Sequence, residues 1–332
     1  MHCDSRSRAQ SKRWMDLGLT NRLLSARLFC ALFVLLAATA SASAQPKQPK
    51  VLMIGIDGCR FDAILYSQAK LLKKVINEGG HTDKCDVLDN IPTKADTASG
   101  AGWATILTGL WADRHNVLGN DFKDSRLHEC PSVLHLANKV KPKLECIALV
   151  TWPDIQEHIC KGHKGCRMVF DGDKKGYKEG DRVMTEVALD VLKTKNPDLL
   201  FLYFGHLDSV GHGYGFHPKS PRYTNGIEDI DDHLIRIFKA LDARPKRAGE
   251  DWLVMFFTDH GGQGRGHGGG RTVPEIRTGF LIVHGEAAVK GKIADKVTNA
   301  DIVPTALTHL GIAIDPAWRL EGRAVGLKKR DR

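Results

Sequence analysis

The sequence predicts a doubly wound α/β fold, in which a mostly parallel central sheet carries helices on both faces. Short runs of Val, Ile, Leu and Phe that do not alternate with polar residues are typical of strands buried on both faces. Five such runs are separated by stretches with helical spacing of apolar residues, and strands that alternate with helices indicate this fold class. The composition, 42% hydrophobic and 26% charged residues, is that of an ordinary globular protein.

The predicted strands and helices follow one another along most of the chain. Buried parallel strands are predicted at residues 51–56, 146–150, 199–204, 253–258 and 280–283. The helices are predicted at residues 62–78, 102–110, 131–139, 181–193, 224–241 and 301–310. Because no repeat or linker composition interrupts this series, we expect residues 45–332 to form a single α/β domain.

Residues 1–44 have the pattern of a secretory signal peptide. Basic residues precede an apolar run at 28–38, and Ala42-Ser43-Ala44 supplies the small residues of a cleavage site. The apolar run is shorter than the ~20 residues that a membrane-spanning helix needs, which favours cleavage over anchoring. We therefore expect an exported protein, periplasmic or secreted, whose translation begins at Met1 or at Met15.

The charge of the chain gives no indication of a nucleic-acid partner. The formal net charge is +9, and removal of the six Lys/Arg and two Asp/Glu of residues 1–44 leaves +5. This excess is scattered, whereas nucleic-acid binding calls for a dense basic stripe with aromatic platforms. The sequence after residue 44 also contains no apolar run of membrane length, so we expect no stable membrane span after cleavage.

Six cysteines follow the predicted signal peptide, at positions 59, 85, 130, 146, 160 and 166. An even number of cysteines in an exported chain suits disulfide bonds. Cys160 and Cys166 are the first candidate pair because they are close in sequence, and the remaining connectivity is open. None of the six has the paired short spacing of a zinc–thiolate site, so we expect them to be structural.

Three of the predicted strands end at an aspartate: Asp57, Asp208 and Asp259. A single Asp in this position is often only a helix cap. Three carboxylates at the same edge of a sheet, however, would repel one another, and bound cations remove that repulsion. Histidines lie close to the second and third aspartate in sequence. Mixed carboxylate and imidazole ligands favour zinc, with manganese and iron as alternatives.

The spacing of these residues is compatible with shared metal ions. Asp208 and His212 are four residues apart, so one helical turn places both on one face. Asp259 and His260 are adjacent and need an irregular turn, which the two glycines that follow permit. His267 lies in the glycine-rich loop 264–270. This loop also matches GxGxxG, but no helix follows it and the acidic partner is missing, so a dinucleotide site is not favoured.

The segment after the first predicted strand contains three candidate nucleophiles. Ser99 begins a helical pattern, and a hydroxyl at a helix N-terminus lies in a positive potential that favours a phosphate or an alkoxide. The same serine could instead be an ordinary N-cap. Thr93 and Thr97 are the alternatives, and residue types alone leave the choice open.

Four segments carry a resemblance to a known family: VLMIGIDG, TASGAGWATILTGL, HLDSVGHGYG and FTDHGGQGRGHGG. Together they resemble the alkaline phosphatase superfamily, and within it the nucleotide pyrophosphatase/phosphodiesterases and related type I phosphodiesterases. The resemblance extends from about residue 51 to residue 314. It implies an alkaline-phosphatase-like fold and two zinc ions bridged by the substrate phosphate, with a Thr or Ser nucleophile.

The resemblance also implies how the metal ligands divide between the two ions. Asp57, Asp259 and His260 match the ligands of the zinc that contacts the nucleophile. Asp208 and His212 match ligands of the second zinc.

The remaining site residues follow from the same resemblance. Ser99 stands at the nucleophile position, where it also contacts the first zinc and where the phosphodiesterases usually have Thr. Asn120 matches the Asn that binds a phosphoryl oxygen. The third ligand of the second zinc comes much later in the phosphodiesterases, so this chain departs from their spacing. We assign that ligand to His267 in preference to the later residues His284 and His309.

These expectations combine into one predicted activity. The chain is expected to be an exported two-metal hydrolase that cleaves phosphodiester or pyrophosphate bonds of a small, nucleotide-like substrate through a phosphoseryl intermediate on Ser99. A phosphomonoesterase, a phosphonate hydrolase or a sulfatase on the same two-zinc core is the alternative, although the Cys/Ser-x-Pro-x-Arg motif of sulfatases is absent around Ser99. A metal-stabilised binding protein without turnover is the non-catalytic alternative.

Overall fold

A mixed β-sheet forms the centre of the structure, a computed structural model that describes residues 46–88 and 94–329. The strand order is β4-β3-β5-β1-β6-β7-β2-β8, and β9 pairs with β2. The strands are β1 (Gln48–Ile56), β2 (Gly80–Asp86), β3 (Cys146–Val150), β4 (Cys166–Met168), β5 (Leu199–Phe204), β6 (Glu250–Phe257), β7 (Thr278–His284), β8 (Gly291–Lys292) and β9 (Val297–Thr298).

Helices cover both faces of the sheet and enclose two apolar cores. They are α1 (Phe61–Tyr66), α2 (Lys70–Glu78), α3 (Ser99–Thr108), α4 (Ala112–His115), α5 (Val133–Val140), α6 (Gly172–Lys175), α7 (Tyr177–Thr194), α8 (His206–Tyr214), α9 (Pro221–Asp242), α10 (Pro274–Arg277) and α11 (Ile302–His309). One core joins α3, α5 and α11 to the sheet, and the other joins α1, α2, α7, α8 and α9 to its opposite face. The predicted doubly wound α/β class is thereby confirmed.

All five predicted strands are present, but the direction of one was predicted wrongly. The run at 280–283 lies in β7, which is antiparallel to β6, whereas β1, β3, β5 and β6 are mutually parallel along the sheet. A short apolar run does not encode strand direction, which depends on how the connection returns to the sheet. The sequence analysis also missed β2, because its residues are mostly polar and Asp83 and Lys84 are exposed.

The single helix predicted at 62–78 is two helices, α1 and α2, separated at Ser67. The Ser67 hydroxyl donates to the carbonyl of Ile64 and accepts from the backbone N–H of Ala69. A serine that hydrogen-bonds to the neighbouring backbone in this way competes with helical hydrogen bonding. In the opposite direction, the segment beyond β5 forms the nine-residue helix α8, where the sequence predicted only one helical turn.

Parallel pairing brings the carboxyl ends of β1, β5 and β6 to one edge of the sheet. Ile56 of β1 lies opposite Phe204 of β5, and Gly55 lies opposite Phe257 of β6. The residues that follow these three strands therefore start at the same level. Ligands of open α/β sheets bind beyond this edge.

Three further expectations concern the chain as a whole. The predicted signal segment, residues 1–44, lies outside the described residues. Among the residues that are described, no helix is long and apolar enough to cross a membrane. All six cysteines are buried free thiols, so the predicted disulfides are not confirmed. Cys160 and Cys166, the first candidate pair, are both free, and the nearby thiol of Cys160, followed by burial, raises the pKa of Cys166.

Candidate metal centre

Two ligand clusters lie at this edge of the sheet, and the first is directly at the ends of β1 and β6. It consists of Asp57, Asp259 and His260, whose ligand atoms all lie within 4.8 Å of one another. The Nε2 atom of His260 is 3.5 Å from Asp57 Oδ1 and 3.2 Å from Asp259 Oδ2. All three side chains are almost completely buried, so this cluster forms the floor of the site.

The second cluster lies above the first and is open to solvent. It consists of Asp208 and His212 of α8 together with His267 of the glycine-rich loop, again within 4.8 Å of one another. As the spacing of four residues predicts, α8 brings Asp208 Oδ2 to 3.4 Å from His212 Nε2. The Nε2 atoms of His212 and His267 are 3.1 Å apart. The His212 side chain is 45% exposed, so substrate and water can reach this cluster.

All three histidines are held by backbone carbonyls at Nδ1. His260 Nδ1 lies 2.8 Å from the Gly261 oxygen, His212 Nδ1 lies 2.9 Å from the Arg265 oxygen, and His267 Nδ1 lies 2.6 Å from the Thr97 oxygen. A carbonyl only accepts, so each Nδ1 carries a proton and each Nε2 is the nitrogen that faces the site and is available to a metal ion. Second-shell bonds of this kind are typical of metal-ligating histidines.

The electrostatics of the first cluster call for a cation. Burial, and then the charge of Asp208, raises the pKa of Asp57 to about 7. Burial, and then the charges of Asp57 and Asp208, also raises the pKa of Asp259. Burial, and then His267, lowers the pKa of His260 to about 3, so this imidazole is neutral and able to ligate. The cost of ionising these carboxylates together disappears when a positive ion lies between them.

In the second cluster, by contrast, the surroundings lower the pKa of the aspartate and raise the pKa of a histidine. Its hydrogen bond to Asp208 raises the pKa of His212 to about 9. Burial opposes ionisation of Asp208, but the hydrogen bond from His212 outweighs it together with the other electrostatic interactions at the site, so the pKa of Asp208 is lowered overall. A bound divalent ion would replace the proton of His212 at this position, because metal ligation requires the neutral imidazole.

Unpartnered oxygen atoms support the fit of metal ions to both clusters. Asp57 Oδ1, Asp208 Oδ1 and Asp259 Oδ2 are buried and accept no hydrogen bond from the described residues. A buried carboxylate oxygen without a donor is costly, and an ion supplies the missing partner. Each cluster has three ligands of the N and O types that suit zinc.

Ser99 lies beside the first cluster as the first residue of α3. Its Oγ atom is 3.2 Å from His260 Nε2. The N-cap of α3 is Ala98 and makes no side-chain capping bond, so the Ser99 hydroxyl does not serve as a helix cap. The helix approaches the end of β6 closely, since a Cβ at Gly102 would lie 2.8 Å from Asp259 Cβ.

Asn120 lies next to the start of the same helix. Its Oδ1 atom accepts a hydrogen bond of 2.7 Å from the backbone N–H of Gly100. The amide group of Asn120 therefore directs its Nδ2 donors away from the helix backbone, where they are available to a ligand. The N–H of Gly100 is already used in this bond, which leaves the side chain of Asn120 as the donor at this position.

The other histidines and threonines weighed in the sequence analysis lie elsewhere. His309 is buried and its Nε2 is 2.8 Å from the carbonyl oxygen of Asp251, and His284 pairs with Glu78. Neither belongs to a ligand cluster. Thr97 is buried, and its hydroxyl contacts the glycine-rich loop rather than His260. Thr93 lies outside the described residues.

Two residues that bind Asp57 were missed by the sequence analysis. Trp103 Nε1 of α3 and the Tyr203 hydroxyl of β5 donate to Asp57 Oδ2 at 2.9 and 2.8 Å. They satisfy one carboxylate oxygen and leave the other, Oδ1, directed at His260. Both lie in apolar runs and look like core residues in the sequence, so no local signal distinguishes them.

Phe216, which follows α8, packs against the histidines of the second cluster. It is fully buried, and its ring meets the rings of His212 and His267 edge-on, with centroids 5.4 and 6.1 Å apart. A Cβ at Gly211 of α8 or at Gly262, just before the glycine-rich loop, would lie 2.2 Å from this ring, so both positions need glycine to pack against it. Phe216 thus fixes the distance between α8 and the glycine-rich loop.

The fold and the paired Asp/His clusters define a protein of the alkaline-phosphatase-like α/β class. Comparison with known proteins gives the family within it. The profile of the family "type I phosphodiesterase / nucleotide pyrophosphatase" matches residues 51–265, which is more than half of the chain. The chain belongs to this family of phosphoric ester hydrolases, as the motifs predicted, and metal dependence is general in the family.

Individual relatives are distant. The chain is 27% identical over 188 residues to the human GPI ethanolamine phosphate transferase 2 catalytic subunit, covering 55% of this chain and 18% of the relative. It is 25% identical over 254 residues to human ectonucleotide pyrophosphatase/phosphodiesterase family member 5, covering 72% of this chain and 50% of the relative. The chain thus spans half or less of the length of these curated relatives.

A solved structure of the murine family member 5 has the same fold. It superposes with a TM-score of 0.63 at 14% identity, and the match covers 80% of this chain and 95% of the murine chain. An inactive variant of that murine protein has been solved in complex with AMP. At this identity the likeness shows the fold alone.

Proposed function

We propose that this chain is an exported two-metal phosphodiesterase or nucleotide pyrophosphatase that works through a phosphoseryl intermediate on Ser99. One observation carries the proposal. The Ser99 hydroxyl lies at the start of a helix, 3.2 Å from His260 Nε2, beside one of two adjacent three-ligand clusters. The rings of His260 and His267 stack with centroids 3.7 Å apart, so the clusters are close enough to share one substrate phosphate.

Two zinc ions fit the ligand set. Asp57, Asp259 and His260 would hold the first ion, with Ser99 as a further ligand. Asp208, His212 and His267 would hold the second. When bound, such ions lower the pKa of a coordinated hydroxyl or water and stabilise the charge on phosphoryl oxygens.

The residues of the chain then account for both halves of the reaction. Ser99 Oγ attacks the phosphorus atom, a Ser99–phosphorus bond forms, and the bond from phosphorus to the leaving oxygen breaks while the hydroxyl proton passes to solvent. The amide group of Asn120 donates to a phosphoryl oxygen. Water entering from the open side at His212 then attacks the same phosphorus, the bond from phosphorus to Ser99 Oγ breaks, and Ser99 Oγ takes up the proton that the attacking water gives up.

The substrate is proposed to be a small phosphorylated compound of the nucleotide type. This rests on the family and on the AMP complex of the murine relative. Export is proposed on the signal pattern of residues 1–44.

Substitution of Ser99 tests the nucleophile. Ser99→Ala should lower kcat on bis-p-nitrophenyl phosphate by about 10³-fold or more, because a nucleophile cannot be replaced by binding contacts. Ser99→Thr retains a hydroxyl and is the matched control, expected to keep most of the activity. Rapid acid quenching followed by peptide mass spectrometry should find the phosphoryl adduct on the Ser99 peptide of the unmodified protein. Full activity in Ser99→Ala would overturn the proposal.

An ester panel distinguishes the activity from its alternatives on the same core. Rates on bis-p-nitrophenyl phosphate should exceed those on p-nitrophenyl phosphate and p-nitrophenyl sulfate, and chelation of metal should abolish all of them. A preference for the monoester or the sulfate ester would instead identify a phosphomonoesterase or a sulfatase. Two bound ions without turnover on any ester would identify a metal-stabilised binding protein.

A further inference from the structure

The glycine-rich loop that carries His267 is held in place by the two residues that lie just before α3. The Thr97 hydroxyl donates to the backbone oxygen of His267 and accepts from the backbone N–H of Gly270 at 3.0 Å. The backbone oxygen of Thr97 accepts from His267 Nδ1 at 2.6 Å. Thr97 thus binds both the backbone and the ring of His267, and it also binds the last residue of the loop, Gly270.

Asp96 adds a fourth attachment. Its Oδ1 atom accepts from the backbone N–H of Gly269 at 2.6 Å and from the backbone N–H of Thr97 at 2.7 Å. Gly269 has a positive φ of 65°, a conformation in which few residues other than glycine are stable. The Asp96 carboxylate therefore fixes both the loop and the backbone of the residue that binds His267.

The loop has little else to order it. Residues 264–270 include five glycines and contain no α-helix or strand; their regular structure is limited to the isolated bridge between Gln263 and Gly266 and the first residue of a 3-10 helix at Gly270. Glycine loses more conformational entropy on ordering than any other residue, so a loop of this composition needs specific bonds to hold a ligand in place. The bonds from Asp96 and Thr97 supply them across a separation of about 170 residues.

We propose that Asp96 and Thr97 are positioning residues that hold His267 in the second cluster and so set the affinity of that cluster for its metal ion. Thr97 is two residues from Ser99, so the segment that starts the nucleophile helix also orders a ligand of the other ion. This inference rests on the proposed function, in that His267 is taken to be a metal ligand.

Metal binding by Thr97 variants is the direct test. Thr97→Val removes the hydroxyl at nearly constant shape, and Thr97→Ser keeps it. In zinc-buffered solution the wild-type protein should bind two ions. Thr97→Val should bind the ion of the second cluster with 10- to 100-fold lower affinity, the range typical when a residue that orients a metal ligand is changed. Thr97→Ser should bind this ion with the affinity of the wild-type protein. Metal content by mass spectrometry and Co²⁺ absorption titration measure this without reference to turnover.

Two further variants separate positioning from a general structural role. Thr194→Val removes an exposed threonine hydroxyl that bonds only to the Asp190 carbonyl of its own helix, and should change nothing. Asp96→Ala lies at a half-buried position and should fold, with the same selective loss of one ion. Raising free zinc should restore ester hydrolysis in Thr97→Val but not in Ser99→Ala.

The outcomes are distinct. If wild-type and Thr97→Val proteins both bind two ions with equal affinity, the positioning role is wrong while the proposed function stands. A lower unfolding temperature of metal-free Thr97→Val with unchanged zinc affinities would likewise reduce Thr97 to a structural residue. If the wild-type protein binds fewer than two ions, the two-metal function fails and the inference fails with it.

Discussion

Removal of the Tyr203 hydroxyl should weaken metal binding at the first cluster without disturbing the fold. Tyr203 and Trp103 are the two donors to Asp57 Oδ2, at 2.8 and 2.9 Å, and they leave Oδ1 for a metal ion. Tyr203→Phe deletes one donor and keeps the buried ring. Trp103 remains, so the carboxylate loses part of its orientation rather than all of it.

The size of the effect follows from the bond that is lost. A hydrogen bond to a charged group contributes about 1.5–3 kcal/mol, and ~1.4 kcal/mol corresponds to a tenfold change in an equilibrium constant. The affinity of the first cluster for zinc should therefore fall about 10- to 100-fold, in line with other second-shell changes. The bond from Tyr203 also lowers the pKa of Asp57, so its loss lets protons compete with zinc up to a higher pH.

Chelator competition at fixed pH measures the zinc affinity of each variant. The matched control is Tyr177→Phe. The ring of Tyr177 lies 6.5 Å from that of Tyr203, but its hydroxyl bonds to Asp173 rather than to Asp57. We expect the control to bind zinc as the unmodified protein does. A zinc affinity of Tyr203→Phe within twofold of the control would refute the reasoning that Asp57 is oriented by these donors.

Two other predictions concern acid stability and export. Burial, and then the charge of Arg126, lowers the pKa of His115 to about 3 from 6.5, so His115 stabilises the fold above pH 6.5 and that contribution is lost as the pH falls towards 3. The free energy of unfolding of chelator-treated protein can be measured by urea denaturation at pH 7 and pH 4. His115→Gln should lose roughly 3 kcal/mol less of it over this range than the unmodified protein. An equal loss in both proteins would contradict the prediction. For export, N-terminal sequencing of protein recovered from the periplasm or medium should begin at Gln45, and an intact start at Met1 or Met15 would count against a cleaved signal.

Much of the site could be predicted because its residues lie at strand ends. Asp57 and Asp259 follow apolar runs directly, and parallel register brings the ends of such strands level. The pairing of Asp208 with His212 also follows from sequence, since four residues are one helical turn. The direction of β7 could not be read in this way, because an apolar run pairs equally well in either direction.

The sequence by itself determined the chemical types at the site: carboxylates and imidazoles at one edge of a sheet, a hydroxyl at a helix start and a glycine-rich loop. Only the tertiary structure decided which nitrogen of each histidine faces the site, because backbone carbonyls hold Nδ1: a neighbouring one, of Gly261, at His260, and distant ones, of Arg265 and Thr97, at His212 and His267. It also separated Ser99 from Thr97, two residues away, by placing one hydroxyl at His260 and the other on the loop of His267. The contacts of the Ser99 and Thr97 hydroxyls join residues more than 160 positions apart, and no local pattern encodes them.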